Sequence, residues 1–185
     1  MRLSNQFFNR DCSIVARDLL GKTLIKQDKN KLLKGIVVET EAYFTDGDKA
    51  SHSFLRNKAR EFFNQKKPGT AYVYLNYGMY WLLNVITKNG AVLFRALEPL
   101  SAIETMKQNR KTDDLMNLLS GPGKLTQAFQ IDGNYHGSDL TKNHLFLSSG
   151  INDFKIVKTK RIGISKDEHK LLRFYIKGNK FISSR

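Results

Sequence analysis

Cysteine is nearly absent from this chain of 185 residues. A lone Cys12 excludes an internal disulfide, a four-cysteine zinc site and a cysteine-ligated iron–sulfur cluster. A reducing, intracellular compartment is therefore expected. Histidine is sparse too. His52, His136, His144 and His169 are scattered, with no HExxH and no paired cysteines, so neither a protein-built metal site nor a cofactor is expected. No apolar run approaches the roughly 20 residues that span a membrane. The opening MRLSNQFFNRDCS holds no apolar stretch of signal-peptide length, so export is not expected. The NTPase phosphate-loop pattern GxxxxGK[ST] is missing, and GPGK at 121–124 does not replace it, although it can present a helix N-terminus to a phosphate.

Negative charge is in deficit. There are 17 Asp and Glu against 31 Lys and Arg, a formal net charge of +14. The surplus is uneven, with ten basic and three acidic residues between Ile151 and Arg185 and five basic against one acidic between His52 and Thr70. Net charge speaks to partners rather than fold. A polyanion such as nucleic acid is the leading reading. A merely solvated basic surface and an anionic membrane face are the alternatives.

Length predicts a single domain over 1–185. RDCSIVARDLLGK predicts a short helix with Asp11 as N-cap and Gly21 as the stop. KTLIKQ and KGIVVETEAYF predict strands joined by DKNK, and residues 45–70 a charged loop with a short helix inside it. AYVYLNYGMYWLLNV predicts a hairpin with Leu75 and Tyr80 flanking a Tyr77-Gly78 tip, and AVLFRALEP another strand. Ser101 and Glu104 have capping-box spacing, so a helix is expected from Ser101. SGPGKLTQAFQ predicts a further helix. VKTKRIGIS, LLRFYIK and KFIS predict closing strands, with Gly178-Asn179 at a turn. Strands outnumber helices and come in hairpins. The expected class is α+β, a curved and largely antiparallel sheet flanked by short helices.

Two constellations carry possible chemistry. Tyr77 at a hairpin tip projects outward, where a partner must cover it, or else folds back onto the domain. On a basic surface the natural partner is a base stack, which an apolar wedge can enter. In GIVVETEAYF, period-two alternation puts Val37, Glu39, Glu41 and Tyr43 on one face. That face is either a solvent edge or a carboxylate beside an aromatic wall. Two positions apart on a strand point the same way, which rules against a glycosidase pair flanking a bond from opposite sides.

The blocks VETEAY (38–43), ASHS (50–53), PGTAYVYLNYGMYWLLNV (68–85), LFRALEPL (93–100), SGPGKLTQAF (120–129), RIGI (161–164) and LRFYIKG (172–178) occur in order along most of the chain. Together they resemble the alkyladenine, or 3-methyladenine, DNA glycosylase family. The resemblance implies a monofunctional, metal-free hydrolase of base excision repair. Such an enzyme flips alkylated or deaminated purines (3-methyladenine, 7-methylguanine, hypoxanthine) out of double-stranded DNA and cleaves the N-glycosidic bond. It implies Glu41 as general base, Tyr43, His52 and Tyr74 as pocket walls, Tyr77 as the wedge, Asn84 as a gate against guanine, and Arg95 as a holder of the attacking water and the DNA backbone. A monomer is expected, because no dimerisation segment appears, with no membrane role. The expected location is cytoplasmic and nucleoid-associated in a bacterium, nuclear or organellar in a eukaryote. The loop FTDGDKAS, the phenylalanine-rich stretch after His52 and residues 133–156 depart from the family pattern. An opposite charge lowers a carboxyl pKa, so Arg95 is expected to keep Glu41 ionised, with Glu39 opposing it from a structural position. The rival readings are a non-catalytic DNA-damage-binding module and a metal-dependent nuclease built on Glu39 and Glu41.

Overall fold

A computed structural model describes residues 1–28 and 31–184. Helices α1 (Asn5–Phe8) and α2 (Cys12–Asp18) precede strands β1 (Thr23–Asp28) and β2 (Lys31–Phe44). Lys29 and Asn30, the middle of the expected DKNK connection, lie outside the described residues. Helices α3 (His52–Leu55) and α4 (Asn57–Gln65) follow, then strands β3 (Ala71–Asn76), β4 (Tyr80–Thr87) and β5 (Gly90–Ser101). The chain continues through helices α5 (Ile103–Arg110) and α6 (Pro122–Phe129) to strands β6 (Leu145–Ser148), β7 (Ile156–Thr159) and β8 (Arg173–Ile176).

The sheet runs β3-β4-β5-β2-β1-β6, with β8 also on β2 and β7 on β8. Every pairing is antiparallel. The α+β class with a curled antiparallel sheet is as expected. Strand β2 is its axis. One edge pairs with β5, while the other pairs first with β1 and then, at Glu39 to Glu41, with β8. Coverage from both sides buries Glu39, Thr40 and Glu41 completely. Thr40 resolves its burial by donating to the Ala16 carbonyl of α2 at 2.7 Å.

The β2–β5 ladder is irregular where it matters. Val37 pairs with Leu97 but Glu39 with Ala96, so β2 carries an extra residue. Glu39 then pairs with Ala96 and Thr40 with Phe94, so Arg95 is the extra residue of β5. A bulge bends the strand and re-aims a side chain. The strict period expected from Val37 to Tyr43 therefore breaks before Glu39, and Val37 packs in the apolar core.

Local signals worked where the backbone had no competing partner. Asp11 caps α2 by accepting from the amides of Ser13 at 2.9 Å and Ile14 at 3.3 Å. Gly21 follows with φ +76°, and a Cβ there would meet the Ile151 carbonyl at 2.3 Å. The capping box at Ser101 does not form. Ser101 still belongs to β5, paired with Lys34, and its hydroxyl donates to Leu32 O at 2.6 Å. The ladder claims the residue before the helix can. Ala102, with φ +57° and no side-chain cap, precedes α5, and Glu104 pairs with Lys107 instead.

The single helix expected within 45–70 is two, α3 and α4. Of VKTKRIGIS only Val157, Lys158 and Thr159 lie in a strand, the end of β7, because Arg161 leaves the sheet to enter an ion pair. KFIS is no strand: Ser183 bonds the Glu39 carboxylate instead of a ladder. The turn at Gly178 is present, with φ +78°. Strand β6, within the unrecognised 133–156 region, pairs with β1.

Candidate active site

A cavity of about 890 Å³ opens at one end of the sheet, and Tyr43, His52, Tyr74, Tyr77, Asn84 and Arg95 all line it. Six of the seven expected site residues, drawn from five elements and a turn, thus meet at one place. Glu41 is not on the wall. Its carboxylate lies just beneath, where Oε2 accepts from the Tyr43 hydroxyl at 2.7 Å and Oε1 from the Ile162 amide at 2.7 Å. Arg95 Nη1 is 3.7 Å from Oε2. Three residues that line the cavity therefore touch the buried carboxylate.

Burial is the largest influence on Glu41 and pushes its pKa above the ordinary glutamate range. Arg95, the Ile162 amide and the Tyr43 hydroxyl pull it down, in that order, and Glu39 pushes it up least. Arg95 acts in the expected direction, but desolvation exceeds it.

Glu39 is occupied. It pairs with Arg173 Nε at 2.6 Å and accepts from Ser183 N at 2.5 Å and Ser183 Oγ at 2.9 Å. Arg95 lies 3.9 Å from Glu39 and donates to Ser183 Oγ at 3.2 Å. The serine hydroxyl therefore bridges Arg95 and Glu39. With its acceptors engaged, Glu39 offers no free ligand pair with Glu41. Among the described residues, no group of three His, Cys, Asp or Glu side chains is arranged to hold a metal ion.

The aromatic walls rest on their own supports. The rings of His52 and Tyr74 meet at 4.1 Å between centroids, tilted by 49°. His52 Nδ1 is 3.1 Å from the Tyr72 hydroxyl. Burial, and then the charge of Arg56, push the His52 pKa down to about 4, so the ring is neutral near pH 7. Tyr43 lines the same cavity as His52 and Tyr74 and makes no ring contact with either among the described residues. Behind Tyr43 stands the Arg161 guanidinium, 4.5 Å from the ring centroid. Burial also drives the Tyr43 pKa well above the phenol range, so the hydroxyl keeps its proton and donates it in a hydrogen bond to the Glu41 carboxylate.

Arg161 is fixed by a buried fork onto Asp48, at 2.6 Å and 2.8 Å, and by Ala42 O at 3.0 Å. Asp48 also accepts from the amides of Phe44 and Ala50. One ion pair thus ties the loop before His52 to the segment whose Ile162 amide holds Glu41. Sequence reading assigned nothing to Asp48, Arg161, Arg173 or Ser183. Both arginines sit within the RIGI and LRFYIKG blocks, which was their only signal.

Tyr77 is 82% exposed, so it does not fold back. Asn76 pairs with Tyr80, one step beyond the expected flank, leaving Tyr77, Gly78 and Met79 in the loop. Tyr77 and Gly78 have φ of +51° and +69°, and Met79 N donates to Asn76 O at 3.1 Å. Two successive left-handed residues are the requirement of a type I′ turn. Asn84 is buried on β4 and donates through Nδ2 to Tyr72 O at 3.1 Å. Among the described residues, the lining also contains Lys49, Arg110, Lys124 and Lys166 beside Arg95, and no Asp or Glu. An opening with five cations and no Asp or Glu attracts a polyanion. Among the described residues, no helix is long and apolar enough to cross a membrane.

A family model described as methylpurine-DNA glycosylase (MPG) matches residues 6–180. A protein of Prosthecochloris aestuarii, provisionally named a 3-methyladenine DNA glycosylase, is 45% identical over 189 residues, covering 98% of this chain and 91% of its own. Proteins with the same provisional name are similar in Salinibacter ruber, at 42% identity over 98% of this chain and 96% of the relative, and in Clostridium perfringens, at 41% over the whole of both. On this breadth of match the chain belongs to the methylpurine-DNA glycosylase family, hydrolases that act on N-glycosyl bonds.

Proposed function

We propose that this glycosylase works as a monomer on double-stranded DNA, in an intracellular compartment, everting alkylated or deaminated purines and cleaving them with a Glu41-directed water. Tyr77 is the wedge. Everting a nucleotide costs a few kcal/mol, and aromatic stacking recovers about 1–3 kcal/mol. The everted base enters the cavity between Tyr43 on one side and His52 with Tyr74 on the other. Purines alkylated at N3 or N7 are cationic, and aromatic faces favour a cation by roughly 0.5–2 kcal/mol. A neutral His52 adds no repulsion to that preference. Asn84, on the cavity wall, screens normal guanine.

As the C1′–N bond breaks, its electron pair leaves with the base and the sugar gains oxocarbenium character. Ionised Glu41 stabilises that charge and takes a proton from water as the oxygen bonds to C1′. Arg95 holds the water and the DNA backbone at the point where the wall comes within 3.7 Å of Glu41. The observation that carries this reading is Glu41, held by Tyr43, Ile162 and Arg95, beneath a cation-lined cavity whose rim bears an exposed tyrosine.

The test is Glu41→Gln on duplexes containing 3-methyladenine, 7-methylguanine or hypoxanthine. Base release should fall at least about 10²-fold, with binding retained. Release at the wild-type rate would remove Glu41 from the mechanism. One observation favours a second reading, a non-catalytic damage-binding module: the Glu41 carboxylate is wholly buried and does not itself line the cavity. That reading requires that the wild type release no base from any of these duplexes.

A further inference from the structure

Five consecutive residues, Phe54 to Lys58, are exposed where α3 passes into α4. Two are bulky and apolar, Phe54 at 49% and Leu55 at 52% exposure. A core was within reach of this segment. Ala59 and Phe63 are buried with Tyr72, Ile86 and Ala91, and Phe62 packs on that cluster and stacks on His136 at 4.2 Å. The segment is therefore anchored, and Phe54 and Leu55 are left outside its anchor.

Leu55 lines the same cavity as His52 and Tyr77. Neither Arg56 nor Lys58 makes an ion pair among the described residues, whereas Arg60 pairs with Asp46 at 2.6 Å. The Arg56 amide donates to the His52 carbonyl at 2.8 Å, which puts Arg56 beside the aromatic wall. No residue from Ser53 to Arg60 is acidic. An exposed apolar pair on a cavity rim marks a surface that a partner covers, and two unpaired cations beside it select a polyanionic partner.

We infer that Phe54 and Leu55 make a second apolar contact with duplex DNA beside the everted nucleotide, and that Arg56 and Lys58 hold the flanking phosphates. The inference rests on the glycosylase reading. A nucleotide that enters the cavity carries its backbone across the rim. Its departure leaves sugars and base faces of its neighbours uncovered. Tyr77 fills the gap, and the α3–α4 pair covers the strand as it bends into the cavity.

The experiment measures binding, by fluorescence anisotropy, to a duplex containing a tetrahydrofuran abasic analogue and to the same duplex undamaged. Phe54→Ser/Leu55→Ser should weaken binding to the analogue duplex about tenfold, within the range for lost stacking contacts, and affect the undamaged duplex much less. Arg56→Gln/Lys58→Gln should reduce the slope of log Kd against log salt by about 1.8, from about 0.9 per phosphate contact. Thermal melting of all variants should match the wild type, because the substituted side chains are exposed. If the double serine variant melts early, Leu55→Gln alone is read in the same way. Unchanged affinity and salt slope in both variants overturn the contact and assign the patch to another occupant, such as a protein. An equal loss on both duplexes overturns its placement beside the lesion. Base release by the wild type from a hypoxanthine duplex, followed in parallel, tests the glycosylase reading separately.

Discussion

A buried carboxylate proposed to act in its ionised form should leave a mark on both rate and stability. The Glu41 pKa is raised in the fold, first by burial. The unfolded chain therefore gives up this proton first, and stability falls as pH rises from the ordinary glutamate range through the folded pKa. Glu41→Gln should accordingly raise the urea midpoint at pH 7 relative to wild type, with a smaller gain at pH 4. The amide can keep both contacts, accepting from Ile162 and donating to a rotated Tyr43 hydroxyl. The acidic limb of kcat/KM should lie above the ordinary glutamate range. It should move higher in Arg95→Met, since Arg95 is the largest influence pulling the pKa down. His52 carries the opposite sign. Its folded pKa is depressed to about 4, so stability is lost as pH falls from about 6.5 towards 4. His52→Gln should flatten urea unfolding over that window.

At the scale of elements, the β3–β4 turn trades stability for reach. Tyr77 occupies the left-handed region, which costs a residue with a Cβ about 1–2 kcal/mol. Tyr77→Gly should stabilise the protein by on the order of 1 kcal/mol, yet slow base release from duplex DNA by roughly 5- to 150-fold, the factor equivalent to the lost stacking. The Asp48–Arg161 fork ties two loops instead. Asp48→Ala strands a buried guanidinium and should cost about 3–5 kcal/mol in urea unfolding. This scale also explains what could be read in advance. The hairpin tip, the Asp11 cap and the β2 carboxylates depend on neighbours in sequence, and they were legible. The bulge that re-aims Arg95, the capture of Ser101 by β5 and the ion pairs of Glu39 and Asp48 depend on strands distant in sequence. No local pattern encodes those. The shared face of Glu39 and Glu41 was correct, but their division of labour came from Arg173 and Ser183, more than 130 residues away.

For the molecule as a whole, charge and shape are arranged around one end of the sheet. Among the described residues, the cavity lining carries five cations and no Asp or Glu. Binding to undamaged duplex should therefore depend steeply on salt, with log Kd rising by about 0.9 for each phosphate contact per tenfold increase in salt. Arg110→Gln/Lys124→Gln should lower that slope while leaving the relative affinity for lesion-bearing and undamaged DNA nearly unchanged, since phosphate contacts position without specifying.

The last turn of the chain is wedged under this machinery. Ser183 spans Arg95 and Glu39, and the Ser184 carbonyl receives Arg173. A polypeptide stopped at Ile182 would keep the cavity-lining side chains named above but lose the brace beneath Arg95, and should therefore still bind duplex DNA while releasing base poorly.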